Sequence, residues 1–284
     1  MAESVELVET LHKNYDVVDK VLIEENSGTF DFEAQTANYN ALAVCGGDGT
    51  FNSAINATRG SAIDLIYIPC GTLNDAAHTL NSIDVDELDD IENRKLRRVD
   101  LGEFNNTLFT YVAACGTFTP IGYLPKSKYK KVFKRLVYYF YAFKLYKTEK
   151  INASLLVKLD EEPEGKELHF SDTYTLIMAL KSRYVFGFKF NKMYKHNCGK
   201  GHLLLIKSPK GLFKFLKLFL LFFRAFFIGF RKEKNGKYIK FMPFSSAKIE
   251  LESPIDFCVD GERVESGHTN FVRFHKKRGK IWLA

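Results

Sequence analysis

Residues 41–50 read ALAVCGGDGT, and residues 65–75 read LIYIPCGTLND. Each is a short apolar run that breaks into glycine and small polar residues. A short apolar run bounded by glycine marks a buried strand. The segments just downstream of the two loops, Phe51–Ala57 and the one from about Asn74, have helical patterning. Two strand–loop–helix units in succession predict a doubly wound α/β layer. Ligands bind open α/β sheets beyond the carboxyl ends of the strands, and both glycine-bearing loops fall there.

The pattern extends in both directions. Upstream, Val5–Lys13 has helical spacing and Val17–Ile23 is a β-rich run. Downstream, the charged stretch Asp84–Arg98 predicts a short helix leading out of the first domain. Strand-like runs then dominate: Val99–Phe104, Thr107–Ala114, Asn152–Leu159, Tyr174–Leu180, His202–Ile206, Tyr238–Met242, Ala247–Leu251, Ile255–Val259, Phe271–Phe274 and Ile281–Ala284. Turn signals at Asn105-Asn106, Glu164-Gly165, Asp260-Gly261 and Arg278-Gly279 separate several of them. Helical segments interrupt at Lys128–Tyr146 and Leu212–Phe230. The expected organisation is an α/β domain over residues 1–96 and a β-sandwich over 97–284 with inserted helices, the final residues returning to the first domain.

Composition bounds the partners. The chain has 284 residues, 46% hydrophobic and 26% charged, with a net charge of +7. A basic balance favours polyanionic partners such as nucleotide, nucleic acid or an anionic membrane surface. No recognised nucleic-acid motif accompanies the dispersed basic residues, so nucleic acid is not expected. The five cysteines are scattered with no C-x-x-C pair, which points to a reducing compartment. The acidic, polar start lacks a signal-peptide core, and the expectation is a cytoplasmic protein. Residues 212–230 read LFKFLKLFLLFFRAFFIGF; Lys214, Lys217 and Arg224 exclude a spanning helix. Two readings of that segment remain: a buried or domain-packing helix, and a helix resting on a membrane surface.

The chemistry lies in the two loops. In Gly46-Gly47-Asp48-Gly49-Thr50, consecutive glycines let backbone N–H groups approach a phosphate, and the adjoining helix adds its positive end. Asp48 can reach, directly or through water, a metal carrying nucleotide phosphates. In the second loop Gly71 permits a tight turn, and Thr72, Asn74 and Asp75 offer polar groups at a helix start. Thr and Asn are also ordinary helix caps.

Together the two loops resemble the diacylglycerol kinase catalytic domain, a family that includes bacterial lipid kinases and sphingosine kinases. NAD kinases share the first loop and typically lack the P-x-G-T-x-N-D loop. Val99-Asp100-Leu101-Gly102 is similar to the family's entry into its second domain, and Asp260-Gly261-Glu262 to its D-G-E. The resemblance implies an NAD-kinase-like α/β domain followed by a β-sandwich, and ATP-dependent phosphorylation of a lipid hydroxyl, diacylglycerol first, with Mg2+. It implies a phosphate cradle of Gly46, Gly47, Gly49 and Thr50, with Gly71, Thr72, Asn74 and Asp75 completing the nucleotide side. Asp48 and Asp100 become metal-linked acids, and Glu262 the base for the acceptor hydroxyl. Alternatives are an NAD-kinase-like small-molecule kinase and an inactive nucleotide- or lipid-binding homologue. The implied setting is peripheral attachment to an anionic membrane, with a homodimer as a further candidate partner. Two departures stand out. No N-P-x-x-G loop precedes Val5. The stretch Asn197–Leu203 lacks the acids that hold a structural metal in many bacterial members, so no such metal is expected there.

Overall fold

The computed structural model describes residues 17, 19, 21, 38–59, 63–71, 73–80, 90, 91, 94–117, 119, 149–160, 165–185 and 187–283. The expected helices at 5–13 and 128–146, most of the run 17–23, the turn residue Glu164, and Thr72 lie outside the described residues.

The two diagnostic stretches form parallel neighbours. Strand β1 (Ala41–Gly46) pairs with β2 (Asp64–Pro69) from Ala41↔Asp64 to Gly46↔Pro69. Helix α1 (Asp48–Ala57) connects them, and the short helix α2 (Asp75–Leu80) comes after β2. Phe51, Ala54 and Ile55 share one face of α1 and pack with Val44, Tyr67 and Leu101. The apolar run of β2 keeps Leu65, Ile66 and Tyr67 buried, as a strand covered on both faces should be.

The next strands are β3 (Asp90–Ile91), β4 (Arg94–Phe104), β5 (Thr107–Phe109), β6 (Val112–Gly116), β7 (Ile151–Lys158), β8 (Glu167–Leu180), β9 (Tyr184–Val185), β10 (Phe188–Lys189) and β11 (Gly201–Lys207). Helix α3 (Lys214–Phe223) continues into a π-helical turn (Arg224–Ile228). Then come β12 (Lys234–Asn235), β13 (Ile239–Phe244), β14 (Ser246–Leu251), β15 (Phe257–Val259), β16 (Glu262–Val264) and β17 (Thr269–Leu283). Among the described residues these join in the order β1-β2-β17-β14-β7-β8-β11-β13-β12, with β3 to β6, β15 and β16 attached off that path. Ile151, Ala153, Leu155 and Val157 alternate inward along β7 and share a core with Phe104, Phe244, Phe257 and Phe274. The mixed α/β start and the sheet-rich remainder match the expected fold class.

Strand β17 joins the two layers. Its first residues pair antiparallel with β14, as in Val272↔Ala247, and its last pair parallel with β2, as in Ile281↔Leu65. Along its other edge it pairs antiparallel with β4. Arg278-Gly279, expected as a turn between two strands, is instead part of a bulge. The register shifts between His275 and Gly279, and Lys277 takes φ 51°.

Three further expectations shift. Residues 94–98, expected as helix, are the start of β4. The single run Thr107–Ala114 is broken at Thr110-Tyr111, because their N–H groups turn to the Asp260 carboxylate instead of a neighbouring strand. The helix at 212–230 is not a buried one: only Leu218, Phe222, Ala225, Gly229 and Phe230 are buried within it.

Candidate active site

Backbone contacts hold the two loops together before any side chain acts. Cys70 N–H donates to Gly46 O at 2.9 Å. A Cβ on Gly71 would come within 2.5 Å of Gly47 Cα, so this approach requires glycine on the second loop. Gly47 is the N-cap of α1 in an extended conformation, with no side-chain cap. The first N–H groups of α1 therefore lie at the loop and present a positive end to it.

Asp48 ties the loops from the other side. Its carboxylate accepts the N–H groups of Asp75 at 2.9 Å and Ala76 at 3.1 Å, capping α2 from a distant part of the chain. The Tyr67 hydroxyl also donates to it, at 3.3 Å. Burial, and next the Asp48 charge, push the Tyr67 phenol far above its ordinary value, so it stays a donor. The Tyr67 ring stacks on Phe51 with centroids 4.0 Å apart. Asp75 is buried and accepts Gly187 N–H at 2.8 Å, which fixes the β9–β10 hairpin beside the loop.

Asn74 occupies a left-handed conformation, φ 51°, just before α2. Its amide nitrogen donates to Gly71 O at 3.1 Å, and its Oδ1 is buried without a hydrogen-bond partner among the described residues. A buried acceptor left unmatched costs about 1–3 kcal/mol, and such atoms concentrate where a ligand completes the site.

The D-G-E turn enters this site from the other end of the chain. Asp260 and Gly261, at φ 47° and 95°, form the two-residue turn of the β15–β16 hairpin, with Val259↔Glu262 in register. Asp260 is fully buried. Its Oδ1 accepts Tyr111 N–H at 3.0 Å and Val112 N–H at 2.9 Å. Its Oδ2 accepts Thr110 N–H at 2.5 Å, the Thr110 hydroxyl at 2.7 Å and the Asn52 amide at 3.1 Å. Burial pushes this carboxyl up to about 6, against the downward pull of the Thr110, Val112 and Tyr111 donors. Asn52 lies on α1 and also donates to Leu108 O at 2.7 Å. The turn is thereby bolted to the helix that starts at Asp48. Glu262 projects over α1: a Cβ on Gly49 would overlap its carboxylate. Gly49 thus makes room for a protein acid beside the loop. Gly46 packs its open side against Thr50.

Asp100 is placed differently. It is buried on β4, and its Oδ2 accepts Lys181 Nζ and Gly199 N–H, each at 2.8 Å. Its Oδ1 accepts Lys277 N–H at 2.8 Å. Both side chains of the Asp100–Lys181 pair are almost fully covered. With Ala76, Thr79 and Tyr194 they line a small cavity beside α2. An ammonium and two amides hold this carboxylate, as in a structural anchor. Lys200, in the stretch that lacks acids, pairs with Asp160.

Lys181, Asn52 and Tyr67 are not marked by any motif, and the D-G-E motif gives Asp260 no buried anchoring role. One signal was available: Lys181 ends the apolar run Tyr174–Leu180, where an uncompensated charge would be out of place.

Among the described residues no three His, Cys, Asp or Glu side chains converge to hold an ion unaided. Mg2+ in phosphoryl-transfer sites needs only one or two carboxylates beside the phosphates. Asp48, which faces the second loop, and Asn74 Oδ1, which has no hydrogen-bond partner among the described residues, fit that requirement.

A family model described as the diacylglycerol kinase catalytic domain matches residues 2–104. Diacylglycerol kinases of Staphylococcus aureus strains JH9 and Newman are each 36% identical over 129 residues, covering 43% of this chain and 41% of theirs. The chain thus matches about two fifths of the length of these curated relatives. A crystal structure of a diacylglycerol kinase from Bacillus anthracis str. Sterne superimposes with a TM-score of 0.63 at 18% identity, over 95% of this chain and 86% of that one. The family resemblance read from the loops is borne out by the same family model and relatives, and the fold by the solved structure.

Proposed function

We propose, from the diacylglycerol kinase match over residues 2–104, that this protein is an ATP-dependent lipid kinase that phosphorylates a lipid hydroxyl, with diacylglycerol the first candidate. One observation carries the reading: the Glu262 carboxylate lies against Gly49, in the loop whose glycines and helix end suit phosphate.

Gly46, Gly47, Gly49 and Thr50 hold the triphosphate through backbone N–H groups and the α1 terminus. Gly71, Thr72, Asn74 and Asp75 complete the nucleotide side. Bound Mg2+ would neutralise phosphate charge, and Asp48 is the acid that would hold it. The lipid hydroxyl oxygen attacks the γ-phosphorus as its proton passes to Glu262. The bond from that phosphorus to the bridging oxygen breaks, and ADP leaves with the electron pair. Such transfer is mostly positioning and charge stabilisation, which suits a site whose parts are locked by Asp48 and Asp260. Asp100 serves as the buried partner of Lys181 in place of a metal ligand. Residues 1–96 act as the nucleotide-side unit and 97–284 as the sandwich, in a cytoplasmic protein working at a membrane surface.

The test is phosphate transfer from ATP to diacylglycerol, phosphatidylglycerol and sphingosine in mixed micelles with Mg2+, beside Asp48→Asn. The expected result is transfer to one lipid, reduced at least about 100-fold in the variant. Phosphorylation of NAD but no lipid would replace the reading with a small-molecule kinase. Nucleotide binding without any turnover would replace it with an inactive homologue.

A further inference from the structure

Helix α3 is apolar over most of its circumference, interrupted by Lys214 and Lys217, yet it is buried on one side only. Leu218, Phe222 and Ala225 point inward and pack with Phe190, Phe230 and Phe241. Beside that stripe run the exposed Phe215, Phe219, Phe223 and Phe227 at four-residue spacing, with Phe219–Phe223 and Phe223–Phe227 ring centroids 6.3 and 5.0 Å apart. Leu212 and Phe213, just ahead of the helix, are 90% and 63% exposed. An apolar face this continuous marks an interaction surface. No helix among the described residues is long and apolar enough to cross a membrane.

Charge decides what covers it. Residues 207–240 carry ten Lys or Arg against one acid, Glu233, whereas the whole chain's excess is seven, so the other residues are on balance acidic. Lys214, Lys217, Arg231 and Lys232 are all exposed around the phenylalanine row. A second copy docking by twofold symmetry would set this basic rim against itself. Residues 121–148 of this chain contain eight Lys or Arg and no acid, so they would be repelled as well. An anionic lipid surface matches both features, since it accepts rings at the acyl boundary and neutralises the rim.

We propose that α3 and the π-helical turn form a lipid-contact face that seats the protein on an anionic bilayer, with the Phe215–Phe227 row in the headgroup–acyl boundary. This rests on the lipid-kinase reading for its purpose and adds where the membrane lies. Phe188 packs on Phe227 with centroids 5.1 Å apart, and the neighbouring Gly187 donates to Asp75 in the candidate site. One two-stranded hairpin therefore separates the lipid-contact face from the nucleotide loops.

The experiment uses the full chain with vesicles of phosphatidylcholine alone or with about one third phosphatidylglycerol, followed by sedimentation. Wild type is compared with the triple variant Phe215→Ser, Phe219→Ser, Phe223→Ser and with Lys214→Glu, Lys217→Glu. Wild type is expected to bind the anionic vesicles. The triple variant should lose about tenfold in partition per ring removed. The charge variant should lose binding and much of its salt sensitivity. Transfer to long-chain diacylglycerol in vesicles should fall with binding, while transfer to a short-chain soluble diacylglycerol stays unchanged. Equal binding of wild type and triple variant would overturn the proposal. So would a wild-type dimer that the triple variant converts to monomer without any vesicle binding. Ring-dependent binding in a protein that phosphorylates no lipid would uphold the lipid-contact face and remove the kinase reading.

Discussion

Replacing Asp260 with Asn changes one oxygen to an NH2 group and leaves the side chain's shape intact. The wild-type carboxylate accepts five hydrogen bonds in a fully buried position. If the new NH2 takes the place of Oδ1, the Tyr111 and Val112 N–H groups lose their acceptor. If it takes the place of Oδ2, the Thr110 N–H loses its own, and the Thr110 hydroxyl and Asn52 must turn. Each orphaned buried donor costs about 1–3 kcal/mol, so two give a loss of about 2–6 kcal/mol. That is a large share of a total stability of about 5–15 kcal/mol. Urea unfolding, at a pH well above about 6 so that the carboxyl is ionised, is followed by the fluorescence of the single tryptophan, Trp282 in β17. The midpoint should fall by on the order of 1 M. Asp260→Ala, which strands all five donors, should fall at least as far. An unchanged midpoint for Asp260→Asn would refute the view that this carboxylate bolts the D-G-E turn to α1.

Gly49→Ala should displace the Glu262 carboxylate, the far end of a flexible side chain; turnover should drop at least about tenfold while unfolding stability changes by under about 1 kcal/mol. Lys181→Met strands a buried carboxylate at Asp100 and should cost about 3–5 kcal/mol, read by urea unfolding; a neutral result would show that Asp100 has another partner. Burial alone would raise the Glu103 carboxyl, but hydrogen bonds from Arg59 at 2.7 Å and His275 at 2.5 Å hold it below its ordinary value. The stability it contributes is therefore present above about pH 4.5 and lost as pH falls through the lowered value. Glu103→Gln should cost about 1 kcal/mol at neutral pH, with the gap from wild type closing in acid; a gap independent of pH would exclude the ion pair as its source.

The features legible in the sequence were those that local pattern controls. β1, α1 and β2 arise from apolar runs and glycine breaks. Asn105-Asn106 and Asp260-Gly261 act as hairpin turns, with positive φ at all four residues. The features that could not be read depended on distant partners. Arg278-Gly279 has turn chemistry, but the register with β4 absorbs it as a bulge. The break at Thr110-Tyr111 is invisible locally, because its cause, the Asp260 carboxylate, lies far along the chain. The segment 212–230 is apolar enough to be taken for core, and only the packed structure tells which side of the helix meets protein. Among the site residues, the glycines announce themselves by type, whereas the service of Asp48 as a cap for α2 requires two loops to be folded side by side.

The dual pairing of β17 bears on how the chain comes to fold during synthesis. Its last residues complete the layer begun by β1 and β2, and its first residues complete the sandwich beside β14. Neither layer can close until residue 283 has left the ribosome, so β1 and β2 wait with an unpaired edge while the rest is made. Long-range pairing of this kind is slow, and the waiting edge is open to other chains. Dependence on chaperones during translation, and insolubility of chains ending before β17, are the expected cellular counterparts of one strand shared by two cores.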